Sequence, residues 1–512
     1  MYLVGIYVKT TPLRCSGSLD EVTRQRPAMA YPFSLIPAFF LPLLSQVSSI
    51  SPTPLHGSTD SIISIPLSIL RSNHLSPSLL PWQKLRYHVD ASLIRAHRLK
   101  NPRSKLAAPP KTTVTVPLAA QGYGGYSISL AFGTPPQALS FVLDTGSDVV
   151  WFPCTANYIC SNCSFPSPNH RSRRIRSFLP KSSASPRILG CSNPKCGWIH
   201  KLDAPSRCSN CDGDLKNCTQ ICQPYLFHYG SGSTGGVMLS ETLNLPGKGR
   251  VPDFAAGCSL FSSRQPAGIA GFGRGAPSLP SQLGVSKFSY CLVSHRFDDS
   301  GERGALVLHA GGHASGSKTA GVNYTPFVRN PTGNEIFSAY YYVGLRKITI
   351  GGRRVKIPYN FLEPASGGDG GTIVDSGSTF TFMAGEIFNL VAKEFAGQVR
   401  GYARAREVEV LTGLWPCFNV SGGASEGPAS IPEMWFHFKG GVEMKLPLAN
   451  YVSLVGGDGG VLCLTMLSDG DVTGVGGGGP AIILGNFQMQ NFYVEYDLGN
   501  ERLGFRPQRC NK

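Results

Sequence analysis

Two segments of the 512-residue chain repeat one pattern, in which a short apolar run ends in an aspartate that is followed by a small hydroxyl residue, a glycine and a serine. The segments are FVLDTGSDVVW, around Asp144, and TIVDSGSTFTF, around Asp375. An apolar run of this length is typical of a buried strand, and the glycine after it permits a tight turn. A single motif of this kind is also an ordinary turn. Two in the same register predict two carboxylates at the ends of two corresponding strands.

The repetition extends beyond the two aspartates. Each half reads as a hairpin, an apolar strand, the aspartate motif and later two apolar residues with a glycine, namely Ile269-Ala270-Gly271 in the first half and Ile483-Leu484-Gly485 in the second. Duplication at this period indicates two like-folded lobes rather than a solenoid. The 60 Gly and 39 Pro residues lie between short runs rich in Val, Ile, Tyr and Phe, which is typical of many short strands joined by turns. The sequence therefore predicts a mainly β protein with two related lobes.

The N-terminal region has the pattern of a secretory signal. The stretch Ala30–Val47 is apolar and uncharged, and its core has the length of a signal-peptide h-region, with two prolines that disfavour a membrane-spanning helix. Because Met29 stands directly before this stretch, we predict a signal peptide over residues 29–49 and interpret residues 1–28 as an extension of the gene model. No second apolar segment closes the sequence, so we expect no membrane or lipid anchor there.

Cysteine usage favours an oxidising compartment. The chain has 15 cysteines, and leaving out Cys15, in the leader, gives fourteen, an even number. Nine of them form a Cys-rich insertion from Cys154 to Cys222. Two pairs there have the CxxC spacing that is also a zinc-ligand spacing, namely Cys160 with Cys163 and Cys208 with Cys211. No His stands at ligand spacing and exported thiolates are oxidised, so the sequence favours disulfides and no metal.

Glycosylation signals and charge bear on the partners of the chain. Four sequons fit surface loops of an exported glycoprotein, at Asn162, Asn217, Asn323 and Asn419. The formal net charge is +16, but residues 1–120 hold 13 Lys+Arg against 4 Asp+Glu, or +9, which is more than half of the excess. The other basic run, Arg171–Arg176, is typical of a solvated loop. We therefore expect no nucleic-acid partner.

The two aspartate motifs, with the two apolar-apolar-Gly segments, resemble the pepsin-type aspartic proteases. The Cys-rich insertion after Trp151, the segment FSYCL at Phe288–Leu292 and the ending LGFRPQRC are similar to the plant nepenthesin-like branch of that family. The resemblance covers roughly residues 123–510. It implies an N-terminal catalytic lobe over residues 119–325, with the Cys-rich insertion at 154–222, a C-terminal catalytic lobe over residues 326–512, and an active-site cleft between the two lobes.

The resemblance also implies roles for single residues. Asp144 and Asp375 match the catalytic pair, and the dyad-supporting residues are Thr145, Gly146, Ser147, Ser376, Gly377 and Ser378. Ser376 stands where pepsins usually have Thr, and it retains the hydroxyl that ties the two loops together. Tyr229, in HYGSGSTGG, matches the flap Tyr, and Trp151 matches the Trp that supports it. Cys417 and Cys463 match a disulfide of the second lobe.

Paired carboxylates imply a mechanism. Two acids a few ångströms apart cannot both be charged cheaply, so the pair shares one proton, as is known for pepsin. The charged acid can accept a proton from a bridging water while the protonated acid donates to the scissile carbonyl. This chemistry requires no metal and no organic cofactor.

Residues 50–118 are Ser/Pro-rich and then basic, with the amphipathic stretch KLRYHVDASLIRAHRLK. A passive linker and an activation prosegment both remain open for this region. An activation segment would place a basic side chain against the acidic pair, and the candidates are Lys84, Arg86, Arg95 and Lys100.

These features favour a secreted endopeptidase precursor that acts at acid pH on protein or peptide substrates, as a monomer, in the cell wall or the vacuole. The alternative is a catalytically inactive pepsin-fold protein that binds or inhibits a partner in the plant cell wall. Such relatives usually lose one of the two motifs, whereas this chain keeps both. A serine hydrolase is disfavoured because the chain lacks a G-x-S-x-G elbow between a strand and a helix.

Overall fold

The computed structural model describes the following residues: 61–69, 81–100, 124–161, 163, 175–200, 208, 220–229, 232–246, 249–265, 267–294, 303–310, 317–333, 335–421, 430–455, 460–468 and 478–510. All of them belong to one compact unit, Gly57–Lys512. The predicted signal peptide and the predicted gene-model extension lie outside these ranges.

Strands dominate the first half of the chain. They are β1 (Ser61–Ile69), β2 (Tyr126–Phe132), β3 (Gln137–Asp144), β4 (Trp151–Pro153), β5 (Ile159–Ser161), β6 (Arg187–Ile188), β7 (Tyr225–His228), β8 (Ser233–Leu245), β9 (Gly249–Ser263), β10 (Gly268–Gly271), β11 (Val285–Cys291) and β12 (Arg303–Ala310). The helices are α1 (Pro81–Lys100), α2 (Pro194–His200) and α3 (Leu279–Gln282), with a 3₁₀ turn at Pro180–Ser182.

Strands also dominate the second half of the chain. Its strands are β13 (Asn323–Pro326), β14 (Tyr341–Val343), β15 (Leu345–Ile350), β16 (Arg353–Arg354), β17 (Thr372–Val374), β18 (Thr381–Met383), β19 (Ala403–Arg404), β20 (Cys417–Asn419), β21 (Met434–Phe438), β22 (Val442–Leu446), β23 (Val452–Val455), β24 (Val461–Leu464), β25 (Met466–Ser468), β26 (Ile482–Leu484), β27 (Phe492–Asp497) and β28 (Arg502–Pro507). The helices are α4 (Gly385–Gln398) and α5 (Arg406–Thr412), with 3₁₀ turns at Glu335–Ala339, Tyr359–Phe361, Leu448–Asn450 and Asn486–Met489.

The strand that carries Asp144 shows why the sequence folds in this way. Along β2, buried residues alternate with more exposed serines, as one solvated face of an antiparallel pair requires. The last four residues of β3 are all buried, and β10 pairs with β3 in parallel on the edge opposite β2, with Gly271 opposite Asp144. The apolar run before Asp144 is thus a buried strand, as predicted.

The second half repeats this arrangement. Strand β26 pairs in parallel with β17, and Leu484 lies opposite Val374, the residue before Asp375. Each apolar-apolar-Gly segment therefore lies beside the strand that delivers an aspartate. This correspondence confirms the predicted mainly β, two-lobed fold. It also explains why an apolar-apolar-Gly segment accompanies the aspartate motif in each half of the chain.

The last strands of the chain join its two halves. Strand β27 pairs with β11, and β28 pairs with β27 and β13. A disulfide between Cys291 and Cys510 closes the same region. The C-terminal end is therefore part of the large sheet that contains β2 and β3.

The N-terminal segment is built into this unit. Strand β1 lies between β12 and β2, and Ile63, Ile65 and Leu67 point into the core with at most 1% exposure. Helix α1 packs its buried Leu85 and Leu99 into an apolar cluster of the second half. Among the helices in the described ranges, none is long and apolar enough to cross a membrane.

Six disulfides join described cysteines. They are Cys154–Cys258, Cys160–Cys163, Cys191–Cys208, Cys196–Cys222, Cys291–Cys510 and Cys417–Cys463. The sulfurs of Cys196 and Cys222 lie near His200 in a metal-like grouping, but their bond to each other leaves no thiolates. Disulfides thus account for these described cysteines, and Cys208 pairs outside its CxxC motif.

Two of the four glycosylation sequons fall on described residues. Asn323 and Asn419 are exposed, as a glycan acceptor must be. Each lies at the end of a strand, β13 and β20, rather than in the loop that the sequence suggested, because pairing with β28 and β24 extends the strands this far. Asn162 and Asn217 lie outside the described residues.

Candidate active site

The two aspartate loops hold their carboxylates in the same way. The backbone N–H of Gly146 donates to Asp144 Oδ1 at 3.0 Å, and Ser147 Oγ donates to Asp144 Oδ2 at 2.6 Å. In the other loop, Gly377 N–H donates to Asp375 Oδ1 at 2.9 Å. Ser378 Oγ donates to Asp375 Oδ2 at 2.5 Å. Each carboxylate is therefore oriented by one backbone and one hydroxyl donor from its own motif.

The second residue of each motif binds the other loop. Thr145 N–H donates to Ser376 Oγ at 3.1 Å, and Ser376 N–H donates to Thr145 Oγ1 at 2.9 Å. The two hydroxyls then donate across the interface, Thr145 to the carbonyl of Val374 and Ser376 to that of Leu143. Ser376 thus makes the bonds between loops that a threonine hydroxyl would make.

The glycines of the motifs explain how closely the loops approach. A methyl group at Gly146 would lie 2.7 Å from Asp375 Oδ1, and one at Gly377 would lie 2.5 Å from Asp144 Oδ1. Each glycine therefore faces the opposite carboxylate, and any side chain there would push the two acids apart. The sequence-predicted pair, Asp144 and Asp375, is brought together in one buried site.

A guanidinium from helix α1 lies between the two acids. Arg95 Nε donates to Asp375 Oδ2 at 2.7 Å, and Arg95 Nη2 donates to Asp375 Oδ1 at 2.8 Å and to Asp144 Oδ1 at 2.5 Å. The Arg95 side chain is only 13% exposed. Among the basic candidates named from the sequence, Arg86 instead binds Asp90, and Lys100 lies over the Phe382 ring.

The electrostatics of the two acids differ. Burial holds the pKa of Asp144 above its ordinary value, and the charge of Asp375 adds to this effect although Arg95 opposes it. Burial alone would also raise the pKa of Asp375, but the charge and hydrogen bonds of Arg95, with those of Ser378 and Gly377, outweigh it, so that pKa lies below its ordinary value. The two carboxylates raise the pKa of Arg95 despite its burial, so Arg95 stays charged.

Tyr229 lies at the turn of the hairpin formed by β7 and β8. Its N–H donates to the carbonyl of Gly232 at 2.7 Å, and Gly232 N–H donates back at 3.2 Å. The Tyr229 ring lies 6.0 Å from the ring of Trp151, which is fully buried on β4. Burial and the nearby charge of Asp144 raise the pKa of Tyr229. The hairpin therefore brings this tyrosine next to the acidic pair.

The sequence did not single out Asn486. Its amide donates to the carbonyl of Ser376 at 3.0 Å and to that of Gly124 at 2.7 Å. It therefore ties the Asp375 loop to the chain that leads into β2. The available signal was its position directly after the apolar-apolar-Gly segment Ile483-Leu484-Gly485.

Comparison with known proteins indicates the family of the chain. The family models described as "Xylanase inhibitor N-terminal" and "Xylanase inhibitor C-terminal" match residues 126–308 and 340–507. A probable aspartyl protease of Arabidopsis thaliana is 35% identical over 428 residues, which are 75% of this chain and 82% of that protein. The aspartic proteinase nepenthesin-2 of Nepenthes gracilis is 35% identical over 395 residues, 76% of this chain and 78% of its own length. The chain belongs to the pepsin-like aspartic protease family.

Solved structures support the fold of this aspartic protease family member. The structure described as edgp matches with a TM-score of 0.55 and 18% identity, over 88% of this chain and 98% of that one. Basic 7S globulin from soybean matches with a TM-score of 0.55 and 16% identity, over 88% of this chain and 99% of that one. At these identities the likeness concerns the fold alone. The nepenthesin match carries the assignment to the plant nepenthesin-like branch.

Proposed function

We propose that the protein is the precursor of a secreted aspartic endopeptidase, which hydrolyses peptide bonds at acid pH once α1 has left the cleft. The observation that carries this proposal is the convergence of Asp144 and Asp375 on a single cation, Arg95. Two complete, mutually bonded loops are present, so the chain keeps both acids that the reaction needs.

The chemistry follows from the shared environment of the acids. With Arg95 gone, two buried carboxylates side by side retain one proton between them, because a second charge is unfavourable at that distance. The ionised member accepts a proton from a water held between them, and the protonated member donates to the carbonyl oxygen of the substrate. Water attack on the carbonyl carbon gives a tetrahedral intermediate. The acid that took the proton from water then gives it to the amide nitrogen, the C–N bond breaks, and the amine and the new carboxylic acid are released.

Tyr229 is proposed to close the site. It lies at the tip of a hairpin beside the dyad of Asp144 and Asp375, and the buried Trp151 fixes one side of its ring. A hairpin of this kind can fold over a bound peptide, exclude water and order the substrate. This role accords with the position of the tyrosine, because the nearby charge of Asp144 contributes to its raised pKa.

Helix α1 is proposed to keep the precursor inactive. Arg95 fills the space between the acids that the catalytic water would need. Because the pKa of Asp375 is lowered in this state, the attraction between Asp375 and Arg95 is complete above the ordinary aspartate value of about 3.9. It is lost only as the pH falls through the lowered pKa. The pKa of Asp144 is raised instead, so the attraction between Asp144 and Arg95 weakens at a higher pH, and we expect full release of α1 only below about pH 4.

The sequence offers a replacement for β1 after activation. Residues 112–120, TTVTVPLAA, repeat the pattern of β1, SIISIPLSI, with Val, Val, Pro and Leu where β1 has Ile, Ile, Pro and Leu. In the precursor Ile69 pairs with Tyr126 of β2. Ala120 in that place would form a hairpin with Tyr126 through the glycine-rich loop 121–125, a common hairpin length. We infer that the prosegment is cut before residue 112.

The compartment is part of the same proposal. Exposed sequons at Asn323 and Asn419 and the six disulfides accord with secretion to the cell wall or delivery to the vacuole. The second candidate function is the inactive pepsin-fold binding protein of the cell wall. The names of the matching family models, which refer to xylanase inhibitors, keep that candidate in view.

A digestion assay separates the two candidates. The purified precursor is incubated at about pH 3, and cleavage of a denatured protein is followed with and without pepstatin. A protease digests the substrate and pepstatin stops it. No digestion at any pH between 3 and 7, by a chain whose α1 has been removed, would favour the binding protein.

A further inference from the structure

A third carboxyl group, that of Asp148, lies beside the dyad in a cradle of glycines. The N–H of Gly275 donates to Asp148 Oδ1 at 2.8 Å. A methyl group at Gly273 or at Gly275 would overlap the Asp148 carboxylate, and one at Gly271 would overlap the Asp148 backbone. The alternate glycines of the segment GFGRG, residues 271–275, are therefore the reason why this side chain fits.

The same segment holds the neighbouring catalytic loop by its backbone. Phe272 N–H donates to the carbonyl of Asp144 at 2.7 Å, and Gly273 N–H donates to the carbonyl of Ser147 at 2.9 Å. Ser147 Oγ in turn donates to Asp144 Oδ2. Three consecutive contacts thus link the 271–275 segment to Asp144, to its hydroxyl donor and to Asp148.

The other catalytic loop has no such acid. Thr379 occupies the fifth position of its motif, and the Thr379 carbonyl accepts from Phe487 N–H at 2.9 Å. The backbone support is therefore similar in both loops. Only the Asp144 loop adds a side-chain clasp, by which we mean the Asp148 carboxyl group bound to Gly275. The catalytic pair does not require this difference, so it calls for a separate explanation.

We propose that Asp148 is a positioning residue for the peptide hydrolysis proposed above, and that its carboxyl group, seated in the glycine cradle, fixes Ser147 as the donor to Asp144. The proposal rests on the proposed function. A displacement of a catalytic group by about 1 Å can cost about 100-fold in rate. The clasp acts on the orientation of Asp144 and not on the binding of substrate, so its loss lowers kcat and leaves KM unchanged.

The charge state of Asp148 suits a shape-based role. Burial raises the pKa of Asp148 to about 6, the Gly275 hydrogen bond opposes this and the charge of Asp144 adds to it. The charge of Asp148 in turn contributes to the raised pKa of Tyr229 and of Tyr341. At the acid pH of the reaction the carboxyl is therefore neutral and still accepts from Gly275. An asparagine offers the same acceptor and the same shape.

The test compares Asp148→Ala with Asp148→Asn in the full, acid-activated chain at about pH 3.5, with rates expressed per processed molecule. We expect Asp148→Ala to lower kcat by about 10- to 100-fold with KM within about twofold, and Asp148→Asn to keep at least about a third of kcat. Gly275→Ala, which displaces the carboxyl without changing it, should lower kcat like Asp148→Ala. Glu386→Ala, an exposed acid on α4, is the matched control and should change neither constant.

Several results would overturn the inference. One is a wild-type kcat in Asp148→Ala or in Gly275→Ala, whatever the change in Tm, since Asp148 would then serve stability alone. Another is an Asp148→Asn variant as slow as Asp148→Ala, because the cradle would then not act through shape. If the wild-type chain itself cuts no peptide, the proposed function fails and this inference fails with it, which is distinct from an active wild type with indifferent Asp148 variants.

Discussion

The loops around Asp144 and Asp375 are near copies in their internal hydrogen bonds, yet their surroundings differ. Each acid accepts one backbone and one hydroxyl donor from its own motif. Arg95 makes two hydrogen bonds to Asp375 and one to Asp144, and the two pKa values move in opposite directions. The comparison teaches that the duplicated scaffold makes the acids equivalent, while a segment from outside both loops makes them different in the precursor.

The largest expected effect is on peptide hydrolysis, when either of the two equivalent acids is removed. Asp144→Ala and Asp375→Ala should each lower peptide hydrolysis by about 1,000-fold or more with the fold intact, since one carboxylate cannot both activate water and protonate the carbonyl. Turnover and circular dichroism are measured on chains carrying an inserted site for an unrelated protease within residues 101–111, so that all variants are processed alike. Substantial activity in either folded variant would contradict the paired-acid mechanism.

The next effect concerns the segment that makes the acids different. Arg95→Ala should raise the activity of the uncut chain at pH 5 by about 10-fold or more, because charge-assisted hydrogen bonds are worth about 1.5 to 3 kcal/mol each and the three to the two acids are lost. Cleavage of a fluorogenic peptide is measured with chain length checked at each time point.

Arg86→Ala is the control from the same helix. The Arg86→Ala control distinguishes the loss of the specific contacts of Arg95 from a general weakening of the packing of helix α1. Arg86 binds Asp90 one turn along α1, and both side chains are about a third exposed, so this pair contributes about 0.5 kcal/mol or less. Arg86→Ala should change the uncut activity by less than about twofold. Equal activation by both variants would mean that α1 is held by its apolar face, with no special part for Arg95.

The smallest expected effect tests the reciprocity of the loops. Thr145→Val and Ser376→Ala each leave a buried N–H of the other loop without its acceptor, which costs about 1 to 3 kcal/mol. The two losses of unfolding free energy should agree within about 1 kcal/mol in chemical denaturation, and Ser376→Thr should stay near wild type. One costly and one harmless variant would show that the loops are not equivalent in stability.

Much of this site could be predicted from local patterns. The strands before Asp144 and Asp375, and the apolar-apolar-Gly segments beside them, followed from runs of a few residues, because burial on both faces leaves a continuous apolar signature. Tyr229 followed from family resemblance, and the structure puts it at the turn of a hairpin beside the site.

Long-range pairing set the limit of sequence reasoning. Four basic residues were candidates to meet the acids, and only the packing of Leu85 and Leu99 against the second half fixes the rotation of α1 that presents Arg95. Strand β1 pairs with β12, more than 200 residues away, and no local pattern carries that information. The cradle of Asp148 likewise lies in a distant loop, so the sequence left this acid as an ordinary polar residue.

The most direct test of the central claim follows the wild-type precursor from pH 7 to pH 3, with chain length and peptide cleavage recorded on the same samples. Since the pKa of Asp375 is lowered by Arg95, the chain should stay full-length and inert down to about pH 4. Below that pH it should shorten to a product that begins before residue 112 and become active as it shortens. A full-length chain that is already fully active at pH 7 would contradict the account.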